Sequence, residues 1–150
     1  MHKIIRTDSS NRHFVDLVKL LDVDLAIRDG DEHAFYDQFN KIDMIKHVVV
    51  AFNNDVPISC GAFKEYDSNT VEIKRMFTLM DYRGQGLASS VLSELEKWAK
   101  ELSYRRCILE TGIKQPEAIK LYEKSGYSQI SNYGQYAGVE NSRCFEKLLK

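Results

Sequence analysis

The spacing of apolar residues changes several times along the chain, and each change predicts an element. Lys3 to Arg6 reads as a short first strand. Ser9 and Ser10 then offer helix N-caps ahead of Phe14, Leu17, Val18, Leu21 and Leu25, which recur at helical spacing. The Arg28-Asp29-Gly30 stretch ends that helix, since Gly30 tolerates the left-handed backbone that follows a helix C-terminus. A second helix is predicted over Glu32 to Asn40, burying Phe35 and Phe39. Strands follow at His47 to Phe52, Pro57 to Phe63 and Val71 to Thr78, separated by turns at Asn53-Asn54-Asp55 and Asp67-Ser68-Asn69. Connections this short join antiparallel neighbours, so the three strands form a meander. The helical period then returns at Leu87, Val91, Leu92, Leu95, Trp98, Ala99 and Leu102, making one face of a helix apolar. Arg105 to Thr111 reads as a strand and Pro116 to Lys124 as a helix. Tyr127 to Ile130 and Arg143 to Leu148 are closing strands, joined by an irregular loop, Ser131 to Ser142.

A meander followed by one strand–helix–strand crossover predicts an α/β sandwich around a mixed sheet. A length of 150 residues suits one domain, 1–150, with a sizeable core. Composition adds mainly exclusions. With 43% hydrophobic and 29% charged residues the chain is ordinary globular material. Its net charge of -1 lacks the basic excess that phosphate neutralisation demands of a nucleic-acid binder. No segment approaches the length of a membrane span, and the N-terminus shows no signal-peptide core. Cys60, Cys107 and Cys144 are far apart, without the CxxC spacing of zinc or redox sites, and the four histidines are equally scattered. No metal site is expected, and the cytoplasm is the expected location.

The segment with the most chemistry is Tyr82-Arg83-Gly84-Gln85-Gly86-Leu87-Ala88-Ser89, between a strand and the strongly amphipathic helix. Its glycines let the backbone approach a ligand closely. The N–H groups at the helix start lack intrahelical partners, and Arg83 adds a cation, which together suit a pyrophosphate. A strand-to-helix turn that simply needs glycine would contain the same two residues. A P-loop would require GxxxxGK[ST], which is absent. A Rossmann fingerprint should open a series of parallel strands, whereas here a meander precedes the loop.

Arg83, Gly86 and Ala88 match the [QR]-x-x-G-x-[GA] motif, and this loop resembles the coenzyme A clamp of the GNAT acetyltransferase superfamily. Val71-Glu72-Ile73-Lys74-Arg75-Met76-Phe77-Thr78 resembles the fourth strand of that family. Glu117-Ala118-Ile119-Lys120-Leu121-Tyr122-Glu123-Lys124-Ser125-Gly126-Tyr127 resembles its A-x-x-L-Y-x-x-x-G-[FY] block. Gln115 stands where members often carry Asn three residues before the Ala of that block.

The resemblance implies a single-domain GNAT-like fold with a mixed, largely antiparallel sheet and helices on both faces. It also implies an N-acetyltransferase using acetyl-CoA as co-substrate and a primary amine of a small molecule or peptide as acceptor. The backbone of Met76, Phe77 and Thr78 would hold the pantetheine arm and thioester, where the fourth and fifth strands splay. Arg83, Gly84, Gln85, Gly86, Leu87, Ala88 and Ser89 would hold the pyrophosphate, with Gln115 and Tyr122 completing the coenzyme site. A lysine-type amine titrates near ~10.4, so its proton must pass to a base or to water before attack. Glu72 matches the general base of one branch of the family, with a salt-bridged structural role as the alternative and Glu110 in reserve. Tyr122 matches the tyrosine that protonates the departing sulfur, with a buried aromatic as its alternative. Tyr133, Tyr136 and Glu140 occupy the loop where the family builds acceptor contacts, and Asp29, Asp31, Glu32 and Tyr36 form a mildly acidic group near the first helices. The expected partners are acetyl-CoA and the amine acceptor, with a homodimer left open and neither nucleic acid nor membrane expected. A non-catalytic acyl-CoA-binding or sensing module is the competing function, which would need neither Glu72 nor Tyr122.

Overall fold

The computed structural model describes residues 2–30 and 44–150, so the helix expected over Glu32 to Asn40 lies outside the described residues. The strands are β1 (His2–Thr7), β2 (His47–Asn53), β3 (Val56–Asp67), β4 (Thr70–Thr78), β5 (Arg106–Gly112), β6 (Ser128–Ile130) and β7 (Ser142–Leu148). The helices are α1 (Arg12–Asp29), α2 (Leu87–Glu101) and α3 (Pro116–Lys124). All seven strands form one sheet in the order β1-β2-β3-β4-β5-β7-β6. Every neighbouring pair is antiparallel except β4 and β5.

Side-chain alternation along β2 sends Val49 and Ala51 to one face and Val48, Val50 and Phe52 to the other. The first face carries α2 and α3, which pack over Phe63, Val71, Ile73, Leu109 and Phe145. α2 supplies Leu87, Val91, Leu92, Leu95 and Ala99, all buried. Each fully buried large aliphatic contributes about 1.5–3 kcal/mol. The second face carries α1, through Phe14, Leu17 and Val18. The helices therefore cover both faces, and among the described residues none is long and apolar enough to cross a membrane.

Most strand ends lie within a residue of the expected ones, and two local differences have a physical cause. Asn11, rather than Ser9 or Ser10, caps α1: its side chain accepts from the Phe14 N–H at 3.1 Å. The serines are engaged elsewhere, Ser10 by the Asp8 carboxylate and Ser9 as acceptor from the Ile45 N–H at 2.9 Å. β3 extends beyond Phe63 to Asp67, because the exposed Lys64 to Asp67 segment still pairs with β4 although it is not an apolar run.

The departure that shapes the site is in β4. Cys60 faces Phe77 and Ala62 faces Lys74, so Gly61 lies opposite both Arg75 and Met76, a β-bulge with Arg75 at φ 61°. Strict alternation would put Glu72, Lys74, Met76 and Thr78 on one face. The extra residue breaks it: Met76 joins Val71 and Ile73 in the α2 layer, while Phe77 joins the α1 layer. Glycine at position 61 makes room, since a Cβ there would collide with Met76 Sδ and approach Leu95 Cδ1 to 2.9 Å. On its other edge β4 pairs with β5 only through Thr70–Arg106, Val71–Cys107 and Glu72–Ile108. Beyond Glu72 the two strands part.

Candidate active site

The gap between the parting strands opens into a cavity of about 300 Å³, a typical size for a ligand site. β4 lines it with Glu72, Lys74, Arg75, Met76, Phe77 and Thr78, and β5 with Glu110, Thr111 and Gly112. Arg83, Gly84 and Ala88 close one end, α3 contributes Gln115, Leu121 and Tyr122, and α1 reaches over with Leu21, Asp24 and Leu25. Most of the residues expected to hold the coenzyme thus meet in one place. Gln85, Gly86, Leu87 and Ser89 do not line it. The Leu87 side chain is buried in the core, which leaves only its backbone for a ligand.

The glycine loop has the geometry its sequence suggested. Gly84 and Gly86 both adopt φ 79°, and a Cβ on either would meet nothing within 4 Å. Their backbone is therefore open to whatever sits outside the loop, so the residues present fit a pyrophosphate. Gly86 occupies the N-cap of α2, and the Ser90 N–H makes its helical bond back to the Gly86 carbonyl at 3.0 Å. The preceding N–H groups face the loop end, where the helix dipole is positive. Arg83 is anchored there by donating Nε–H to the Thr78 carbonyl at 2.9 Å, with its guanidinium 5.8 Å from the Phe77 ring centroid. Gln115 stands at the N-cap of α3, where Pro116 fixes the first turn, and its side chain makes no capping bond.

The far end of the cavity is charged. Glu72, only 6% exposed, accepts a hydrogen bond from Tyr133 Oη at 2.6 Å and lies 3.8 Å from Lys74 Nζ. The salt bridge considered as an alternative for Glu72 is present, but buried rather than solvent-facing. Burial lowers the Lys74 ammonium from its ordinary value, against the opposing pull of Glu72. Next to it the Arg75 guanidinium contacts Asp22 of α1 at 3.2 Å. Burial first, and then the Glu110 charge, raise the Tyr122 phenol well above its ordinary range. Its ring packs on Tyr127 and Phe145, with centroids at 5.8 and 6.4 Å.

Of the three loop residues expected near the acceptor, only Tyr136 reaches the cavity wall. Tyr133 touches Glu72 instead, and Glu140 is exposed. Asp31, Glu32 and Tyr36 lie outside the described residues, and Asp29 ends α1. Asp24 and Lys74 were not singled out as site residues, yet both line the cavity. Lys74 was recoverable from sequence, lying two positions from Glu72 on the same strand face. The approach of α1 depends on tertiary packing and has no local signal.

The model of the Acetyltransferase (GNAT) family matches residues 14–127. The chain belongs to the GNAT acetyltransferase family. It is 35% identical over 101 residues to the uncharacterized N-acetyltransferase YsnE of Bacillus subtilis, covering 66% of this chain and 67% of that one. An IAA acetyltransferase of Azospirillum brasilense is 30% identical over 102 residues, covering 67% of each. In fold, this GNAT member superposes on a candidate acyl-CoA N-acyltransferase of Klebsiella pneumoniae with TM-score 0.84 and 24% identity, over 100% of this chain and 99% of the other. A GNAT acetyltransferase of Elizabethkingia anophelis, solved with acetyl-CoA bound, gives TM-score 0.69 at 18% identity, over 99% and 98% of the two chains. The chain is an acyltransferase of this family.

Proposed function

We propose that this GNAT enzyme moves the acetyl group of acetyl-CoA to a primary amine of a small molecule or peptide, by direct attack with both substrates bound. One observation carries the reading: a single cavity runs from the open glycine loop, through the parted strands, to a buried carboxylate. The loop backbone and Arg83 hold the pyrophosphate at the α2 N-terminus, and the pantetheine arm and thioester lie along Met76, Phe77 and Thr78, where β4 has parted from β5. Holding both substrates in that gap makes the attack effectively unimolecular. Glu72 takes the proton of the amine, directly or through a water. Tyr122 faces the departing sulfur. Its phenol is held protonated by burial and by the Glu110 charge, so it has a proton to offer the departing thiolate. Three buried free cysteines fit a reducing compartment such as the cytoplasm.

The test is release of free thiol from acetyl-CoA against a panel of polyamines, amino acids, aminoglycosides and peptides with free N-termini. Amine-dependent release with an acetylated product is expected. Tight coenzyme binding with no release for any amine would support the binding module instead.

A further inference from the structure

Glu72 is the last residue of β4 paired to β5, so it stands at the point where its strand loses support on that side. A glutamate side chain there has three rotatable bonds and needs something to aim it. Lys74 lies at 3.8 Å, a point charge beyond hydrogen-bond range. Among the described residues the hydrogen-bond donor to this carboxylate is Tyr133, which arrives from a loop 61 positions further along the chain. That loop is itself braced. Asn132 Nδ2 donates to the Val139 and Ser142 carbonyls at 2.9 and 3.0 Å, closing the loop on itself. The Tyr133 ring stands edge-on to Tyr66 and Tyr136, with centroids at 5.4 and 5.8 Å. The hydroxyl is delivered by a packed platform rather than by a mobile tip.

We propose that Tyr133 is a positioning residue for the transfer reaction: its hydroxyl holds Glu72 Oε2, so that the carboxylate faces the acceptor amine in a fixed orientation. This rests on the reading of Glu72 as the base. A base must lie within hydrogen-bond reach of the proton it removes, and a packed neighbour that locks its rotamer secures that reach. The phenol suits the task, because burial, followed by the Glu72 charge, keeps it protonated at any working pH. The other titratable and charged groups around Glu72 are Lys74 and Arg75 on β4, Lys64 opposite it on β3, and Glu110 on β5. Among the described residues Cys144 on β7 and Tyr136 of the loop join them, with Asp22 of α1 engaging Arg75.

Tyr133→Phe keeps the ring and its packing and deletes only the donor. With acetyl-CoA and the fastest amine of the panel, kcat should fall about tenfold, the split between kcat and KM expected when a base loses its orientation. The loss should persist as pH rises, because ionising the carboxylate does not aim it, and the KM for acetyl-CoA should be unchanged. The same substitution in a Glu72→Gln background should change kcat less than twofold, since there is no base left to position. A second readout needs no acceptor: the 13C carboxyl signal of Glu72, assigned by its loss in Glu72→Gln, should broaden or split at fixed pH in Tyr133→Phe as the side chain samples more than one rotamer. An unchanged kcat and an unchanged signal overturn the proposal. So does an equal loss of rate with and without Glu72, which would make Tyr133 a direct substrate contact. A Glu72→Gln enzyme with full activity at neutral pH would overturn the base itself, and the positioning role with it.

Discussion

Gly61→Ala tests the bulge that builds the cavity. The added methyl would stand opposite Arg75 and Met76, colliding with Met76 Sδ and lying 2.9 Å from Leu95 Cδ1 and 3.0 Å from Val91 Cγ1. Apolar carbons pack best at about 3.5–4.0 Å, so each neighbour must retreat by about 0.5–1 Å or the β3–β4 pairing must loosen. Overpacking of this degree costs about 1–3 kcal/mol. The lower entropy of the unfolded alanine chain offsets about 0.4–1 kcal/mol, because Gly61 has no left-handed φ to forfeit. The net loss is about 1–2 kcal/mol, or roughly 2–8 °C in Tm for a domain of this size. Thermal and urea unfolding should agree, with an unchanged urea slope showing that the native state remains compact. Met76→Ala removes the worst collision, so the double variant should lose less than the sum of the single losses by about 1 kcal/mol. The KM for acetyl-CoA should rise in Gly61→Ala, since Met76 also lines the cavity. A variant melting at or above the wild-type temperature, or strict additivity with Met76→Ala, would refute the claim that Gly61 is there to admit the bulge.

Gly86→Val places a side chain over the open loop backbone and forces a β-branched residue to φ 79°, so the coenzyme A affinity should fall at least tenfold by calorimetry. Gly138→Val, at φ 78° and equally open, is the control: it should cost similar stability, about 1–2 kcal/mol, while leaving that affinity intact. Tyr122→Phe should lower turnover with little change in acetyl-CoA binding, the mark of an interaction made in the transition state, and wild-type turnover at every pH would return Tyr122 to a packing role. Alkaline pH should destabilise the fold. Burial pushes the thiols of Cys60 and Cys107 up to about 12 and that of Cys144 up to about 11, from an ordinary value of 9.0. Between those values the unfolded chain has released protons that the folded chain still holds, so stability is full below about pH 9 and declines as pH rises toward 12. A urea midpoint that stays flat from pH 8.5 to 10.5 in reducing buffer would contradict this linkage.

Much of the scaffold was legible because its signals are local. Pro116 at the first turn bounds α3 at its predicted start, and the apolar face of α2 appears in its own spacing. The Gly84–Gly86 loop was legible for the same reason: its backbone demands are met by the residues that carry them. The cap of α1 was misplaced by a residue or two because three neighbouring polar side chains compete for one job, and which of them is free depends on Ile45, distant in sequence.

The charged end of the site obeys a different logic. Val71 to Thr78 looks like an unbroken strand, and nothing within it announces a bulge. Arg75 is a long side chain held at a left-handed φ of 61°, which costs about 1–2 kcal/mol and which its own identity would argue against. The compensation sits on the neighbouring strand, where Gly61 vacates the space that Met76 needs. The bulge and the loss of pairing to β5 together create the cavity, and the residue at the edge of that failure, Glu72, is held by a tyrosine from the far side of the sheet. A site assembled where regular pairing stops is written in pairs of residues, Gly61 with Met76 and Tyr133 with Glu72. Glu72, Met76 and Tyr133 each carry a signal in the sequence, but which residue each one meets appears only when the sheet order brings the two together. Reading such a site from sequence therefore requires the topology first. With β3 beside β4 and the β6–β7 loop reaching across β5, an apolar-strand glycine and a loop tyrosine become interpretable as parts of the same device.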